Sequence, residues 1–121
     1  MKPKKVLVVD DSKLLHRISA LLLRGCVVVH AAAGVEGLER LSQNPEVDLV
    51  LLDMNMPRMN GLEFLAQVKS DPAKAGLAVI IITTEGKEAD AERGIKAGAS
   101  AYLRKPFRNE ELVALIERLP A

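Results

Sequence analysis

Four places along the chain carry residues that could do chemistry, and each follows a short apolar run. Asp10 and Asp11 come directly after residues 6–9, and Asp53 directly after 49–52. Thr83 and Thr84 follow 79–82, and Lys105, with Pro106 behind it, comes after the weaker run 101–103. Aspartates after strands often begin turns or cap helices, and that reading suffices for Asp11 or Asp53 alone. As a set they mean more. Clustered carboxylates repel, so they must raise one another's pKa or recruit a cation. Hard oxygen ligands suit Mg²⁺, with Mn²⁺ as a substitute, in an open site that keeps waters and accepts a phosphate oxygen. A hydroxyl and an ammonium beside such an acid complete a site for a phosphoryl group, the one donating a hydrogen bond and the other neutralising charge. The acid is then a nucleophile of the aspartyl-phosphate kind.

These residues converge only if the runs are strands of one sheet. Runs 6–9, 27–29, 49–52 and 79–82 are short and rich in Val, Ile and Leu, as buried strands are. Helical patterns separate them. Ser12 is a good N-cap for a first helix; Leu14, Leu15, Ile18, Leu21 and Leu22 form its apolar spacing, and Gly25 stops it. A second helix spans 35–43 with Leu38 and Leu41 inward. A third opens at Asn60 or Gly61 and carries Leu62, Leu65 and Val68. A fifth spans 108–119 with Leu112, Leu115, Ile116 and Leu119 on one face; Asn109 and Glu110 suit its positive end. The fourth, 87–97, has only Ile95 as a large apolar residue and carries Gly94 inside, where a Gly costs about 1 kcal/mol relative to Ala. It is expected to be the most mobile of the five. The alternation βαβαβαβαβα implies a doubly wound parallel sheet with helices on both faces. A common winding, the flavodoxin-like (βα)5 order 2-1-3-4-5, puts its ligand site at the carboxyl ends of strands one and three.

Composition sets limits. A chain of 121 residues suits one domain, 1–121, and can bury a core without disulfides or structural metals. The net charge of +1 lacks the basic footprint of a nucleic-acid binder; Lys2, Lys4 and Lys5 make only a short solubilising edge. Cys26 is the single cysteine, so no intramolecular disulfide forms, and it reads as a buried, inert thiol. No apolar stretch reaches membrane-spanning length, and the short run ending in Asp10 and Asp11 does not suit a signal peptide. A cytoplasmic protein without membrane insertion is expected.

The fragments Val6-Leu7-Val8-Val9-Asp10-Asp11-Ser12, Leu51-Leu52-Asp53-Met54-Asn55-Met56-Pro57 with Asn60-Gly61, Thr83, and Lys105-Pro106-Phe107 after Ala101-Tyr102-Leu103 together resemble the response regulator receiver domain. The likeness extends to its CheY-like, chemotaxis-type single-domain members. The resemblance covers essentially the whole chain, and five fragments in order at the family's spacing make it specific. It implies that Asp53 is the phosphoacceptor and that Asp10, Asp11, Asp53 and the backbone carbonyl of Asn55 hold Mg²⁺. It implies that Thr83 and Lys105 bind the phosphoryl group, that Tyr102 is the switch aromatic, and that Lys105–Pro106 is a cis peptide. Asn55 and Glu85 would flank the path of an attacking water, as in the chemotaxis regulators, and give a short-lived phosphoryl group.

The implied partners are a histidine kinase or phosphotransfer domain and a separate output protein, reached through the face of the fourth helix, fifth strand and fifth helix. The protein would be a monomer, with dimerisation on activation left open. It would not be an enzyme beyond its own phosphorylation and dephosphorylation. Phe107 reads as core, and His30 as a strand-end residue. His16 sits on the first helix, through which receivers partly meet their kinase. The segment 23–27 looks shorter than usual and lacks the family's Gly-aromatic turn. Rival readings are a receiver-fold interaction module that takes no phosphate, a receiver cut from a multidomain regulator, an aspartyl-phosphate phosphatase or mutase, and a flavodoxin-like cofactor binder. The phosphatase reading wants a second acid where Asn55 stands. The cofactor reading wants a Gly-rich phosphate loop after the first strand.

Overall fold

The computed structural model describes residues 1–54, 61–74, 76–84 and 88–120. The five strands are β1 (Lys5–Val9), β2 (Val27–Ala31), β3 (Leu49–Asp53), β4 (Ala78–Thr84) and β5 (Ala101–Lys105). The α-helices are α1 (Lys13–Leu22), α2 (Gly34–Gln43), α3 (Gly61–Ser70), α4 (Glu88–Lys96) and α5 (Asn109–Arg118), and a 3-10 turn (Pro72–Lys74) follows α3. All strand pairings are parallel, and the order is β2-β1-β3-β4-β5. The winding reverses between β1 and β3, as the alternation of runs predicts.

Parallel strands covered on both faces must be apolar on both faces, and β3 and most of β4 are buried throughout. Alternate residues feed two cores. Leu7, Val9, Val50, Leu52, Val79 and Ile81 pack with Leu41 of α2 and with Phe64, Leu65 and Val68 of α3. Val6, Val8, Leu49, Leu51, Ile80 and Ile82 pack with Leu15 of α1 and with Leu112 and Ile116 of α5. Among the described residues, no helix is long and apolar enough to cross a membrane.

Several expectations need correction. Only Leu15 and Ser19 of α1 are buried; Leu14 and Leu21 are 63% and 72% exposed. The inward stripe is Leu15, Ser19 and Leu22, one residue on from the stripe of Leu14, Ile18 and Leu21. Ser19 can occupy it because its hydroxyl donates to the Leu15 carbonyl at 2.8 Å, which satisfies the buried donor locally. Cys26 is half-buried rather than buried, because it lies in the turn just before the edge strand β2. Phe107 is half-buried against the α1–α5 core. His30 lies within β2 and Lys105 within β5, since both strands run further than their apolar runs.

Helix α4 also differs from expectation. Ile95 is 40% exposed, and the residues it turns to the sheet are Ala91 and Gly94. A Cβ on Gly94 would run into the Ile81 side chain, so the glycine that weakens the helix also lets it lie close to β4. The turn between α1 and β2 uses Gly25 at φ +81°, a conformation available to glycine at little cost.

Candidate functional site: an acidic pocket at the switch point

Strand register builds the site. Val9 stands opposite Leu52 and Asp53 opposite Ile82, so Asp10, one residue past Val9, is level with Asp53. Carboxylate oxygens of Asp10, Asp11 and Asp53 lie within 4.8 Å of one another. Asp10 and Asp53 are buried, whereas Asp11 is exposed.

Asp10 is the most constrained of the three. Its Oδ1 accepts from the Ser12 amide at 2.8 Å, while Ser12 Oγ caps α1 by accepting from the Leu14 amide. Its Oδ2 is buried without a hydrogen-bond partner; the Lys105 ammonium approaches it at 3.6 Å. Burial raises the Asp10 carboxyl above its ordinary range, the Ser12 amide opposes this, Asp53 adds to it and Lys105 opposes it again. A buried carboxylate oxygen without a hydrogen bond, on a residue clustered with two further carboxylates, fits a divalent cation with oxygen ligands. Asp10, Asp11 and Asp53 are the residues that could hold one.

The other candidate residues arrive from β4 and β5. Thr83 is buried near the end of β4, and Thr84 pairs with Lys105 across the ladder. Lys105–Pro106 is cis. Tyr102 stands opposite Ile81, on the same face of the sheet as Thr83, and is 47% exposed. Asn55 and Glu85 lie outside the described residues. A cleft of about 570 Å³ adjoins Asp10 and Lys105, floored by Leu14, Leu15, Ile18, Pro106 and Phe107.

Sequence reasoning missed two features. His30 Nε2 lies 2.9 Å from the Asp10 carbonyl oxygen, and the His16 and His30 rings touch, with centroids 5.2 Å apart. Burial, then His30 and Lys13, hold the His16 imidazole below its ordinary pKa. Nothing in the sequence links His16 to His30; a helix–strand contact brings them together. The second feature is Met54, directly after Asp53 and buried beneath Gly61, where a Cβ would strike both its thioether and its backbone. In the sequence the Asn60-Gly61 pair marked a helix start and a fragment of the resemblance, but no contact with Met54.

The winding and the acidic switch point define the class first: a flavodoxin-like α/β domain with a candidate cation pocket. Residues 6–117 match the response regulator receiver domain, and the chain belongs to that family. It is 40% identical over 116 residues to the chemotaxis protein CheY1 of Helicobacter pylori, covering 93% of this chain and 94% of that one. A chemotaxis protein CheY homolog of Campylobacter jejuni is 37% identical over 116 residues, covering 93% and 89%. The solved structure of Vibrio cholerae chemotaxis protein CheY4 superposes with a TM-score of 0.87 at 32% identity, covering 97% and 98%.

Proposed function

We propose that this chain is a phosphorylation-activated switch of two-component signalling. Asp53 takes a phosphoryl group from a phosphohistidine on a histidine kinase or phosphotransfer domain, in the presence of Mg²⁺. The observation that carries this reading is the meeting of three carboxylates within 4.8 Å, one of them with an unsatisfied buried oxygen, beside Lys105.

An Asp53 carboxylate oxygen attacks phosphorus, the P–N bond breaks, and the imidazole leaves with the electron pair. Bound Mg²⁺ would offset the charge of the acids and of the incoming phosphoryl oxygens. Asp10, Asp11 and Asp53 would hold the cation, and the family resemblance adds the Asn55 carbonyl. Lys105 exchanges its 3.6 Å contact with Asp10 for a phosphoryl oxygen, and Thr83 donates its hydroxyl to another. These two contacts exist only in the phosphorylated state, and such differential contact can shift a two-state equilibrium. Tyr102, outward in this state, turns in as Thr83 moves, and the α4–β5–α5 face changes for a separate protein partner. The family resemblance implies that Asn55 and Glu85 tune hydrolysis of the aspartyl phosphate and keep its lifetime short. The relatives' roles in chemotaxis make motility control one candidate pathway.

Amide NMR spectra with Mg²⁺, before and after beryllofluoride, test the reading. Shifts should spread from Asp53, Thr83 and Lys105 to Tyr102 and α4, and should vanish in Asp53→Asn. A folded protein that ignores both additions would instead be an interaction module that takes no phosphate.

A further inference from the structure

The peptide linking Asp10 to Asp11 is gripped from β2. The β1–β2 ladder ends at Val9 opposite Ala31, and the Asp10 amide donates to the Ala31 carbonyl at 3.0 Å. Just beyond that point the ring of His30 reaches the Asp10 carbonyl at 2.9 Å. A carbonyl oxygen only accepts, so His30 Nε2 carries the hydrogen. The ring also packs against that of His16 of α1, with centroids 5.2 Å apart and a tilt of 55°, and so is steadied by a different element.

A peptide unit is planar and stiff. Its carbonyl belongs to Asp10 and its nitrogen to Asp11, so one hydrogen bond to that oxygen orients the plane from which both carboxylates project. We infer that His30 is a positioning residue for the cation pocket: its hydrogen bond fixes the Asp10–Asp11 peptide so that the two acids converge before the cation arrives. This rests on the Mg²⁺ reading given above. Without the clamp, the turn after β1 must be ordered at the moment of binding, and affinity falls by that cost. Supporting hydrogen bonds behind metal ligands act in this way elsewhere.

Two variants separate the hydrogen bond from the packing. His30→Phe keeps an aromatic ring against His16 and removes the donor. His30→Gln loses the ring but can present an amide N–H at a similar reach. Mg²⁺ affinity is measured by NMR titration, and amide exchange at Asp11 and Ser12 is measured in the metal-free proteins. His30→Phe should bind Mg²⁺ about five- to tenfold more weakly and exchange faster at both amides, and His30→Gln should recover most of each loss. In the metal-free wild type, the imidazole ¹⁵N spectrum of His30 should show a protonated, hydrogen-bonded Nε2. Wild-type affinity in His30→Phe would overturn the inference, as would equal loss in His30→Gln. If the wild type itself took no Mg²⁺, the receiver reading would fall, and the positioning role with it.

Discussion

Asp10 concentrates the conflict of the site in one side chain. It is buried, close to two other acids, and its Oδ2 has a lysine ammonium at 3.6 Å but no hydrogen bond among the described residues. Burial raises its pKa above 3.8, so the folded protein holds this proton more tightly than the unfolded chain. The sign follows: in the metal-free protein, this group's contribution to stability falls as pH rises from about 3.8 through the folded pKa. Asp10→Asn removes the buried charge, and its amide oxygen can still accept from Ser12. It should stabilise the metal-free protein at neutral pH by about 1 kcal/mol, while the stabilisation that Mg²⁺ gives the wild type disappears. Urea unfolding with and without Mg²⁺ measures both; a less stable Asp10→Asn would mean that Lys105 already satisfies the acid. The types and spacing of Asp10, Asp11, Asp53, Thr83 and Lys105 were legible in the sequence because each stands at or just beyond the end of a short apolar run. The grip of His30 on Asp10 was not, because a bond between residues 20 apart depends on β2 running past its apolar run to Ala31.

Elements were legible in proportion to how completely they are buried. Strands β3 and β4 read as unbroken apolar runs because helices cover both faces of the sheet. Helix α1 misled because two stripes compete on it. Leu14, Ile18 and Leu21 are all apolar, yet the stripe that packs is Leu15, Ser19 and Leu22, with a serine at its centre. Counting apolar residues finds Leu15 and Leu22 but also admits the exposed Leu14 and Leu21, and it overlooks a small hydroxyl residue that bonds its own helix. Helix α4 offered the opposite difficulty. Its contact with the sheet is made through Ala91 and Gly94, residues too small to produce an apolar signal, and Gly94 earns its place through proximity to Ile81. Little apolar area is buried there, and a glycine inside a helix lowers its intrinsic stability. Amide exchange should therefore be fastest in α4 among the five helices, by about tenfold or more over α3, which buries Phe64, Leu65 and Val68. Equal protection of the two helices would show that close packing at Gly94 compensates for the missing side chains.

At the scale of the whole molecule, the two faces of the sheet have different tasks under the proposed function. The α4–β5 side carries the exposed Tyr102 and the lightly anchored α4, and is the side free to change. The α1 side is fixed by the Leu15, Leu112 and Ile116 core, and it carries apolar side chains that the core does not use. Leu14 and Leu21 are exposed, and Leu14 and Ile18 line the cleft that runs to Asp10 and Lys105. Under the proposed function a phosphodonor histidine would have to reach Asp53 from outside, and a protein delivering it could rest on this cleft; a small phosphodonor such as acetyl phosphate would need no such surface. Leu14→Ser should therefore leave stability within about 0.5 kcal/mol, as expected for an exposed side chain. It should slow phosphorylation by the cognate kinase or phosphotransfer domain about tenfold, the loss expected of a buried apolar anchor at an interface. Phosphorylation by acetyl phosphate should be unchanged. Parallel rate measurements with the two donors separate the outcomes. Equal slowing would mean that Leu14 acts on the acidic pocket itself through the start of α1. No slowing with either donor would move the docking surface away from α1.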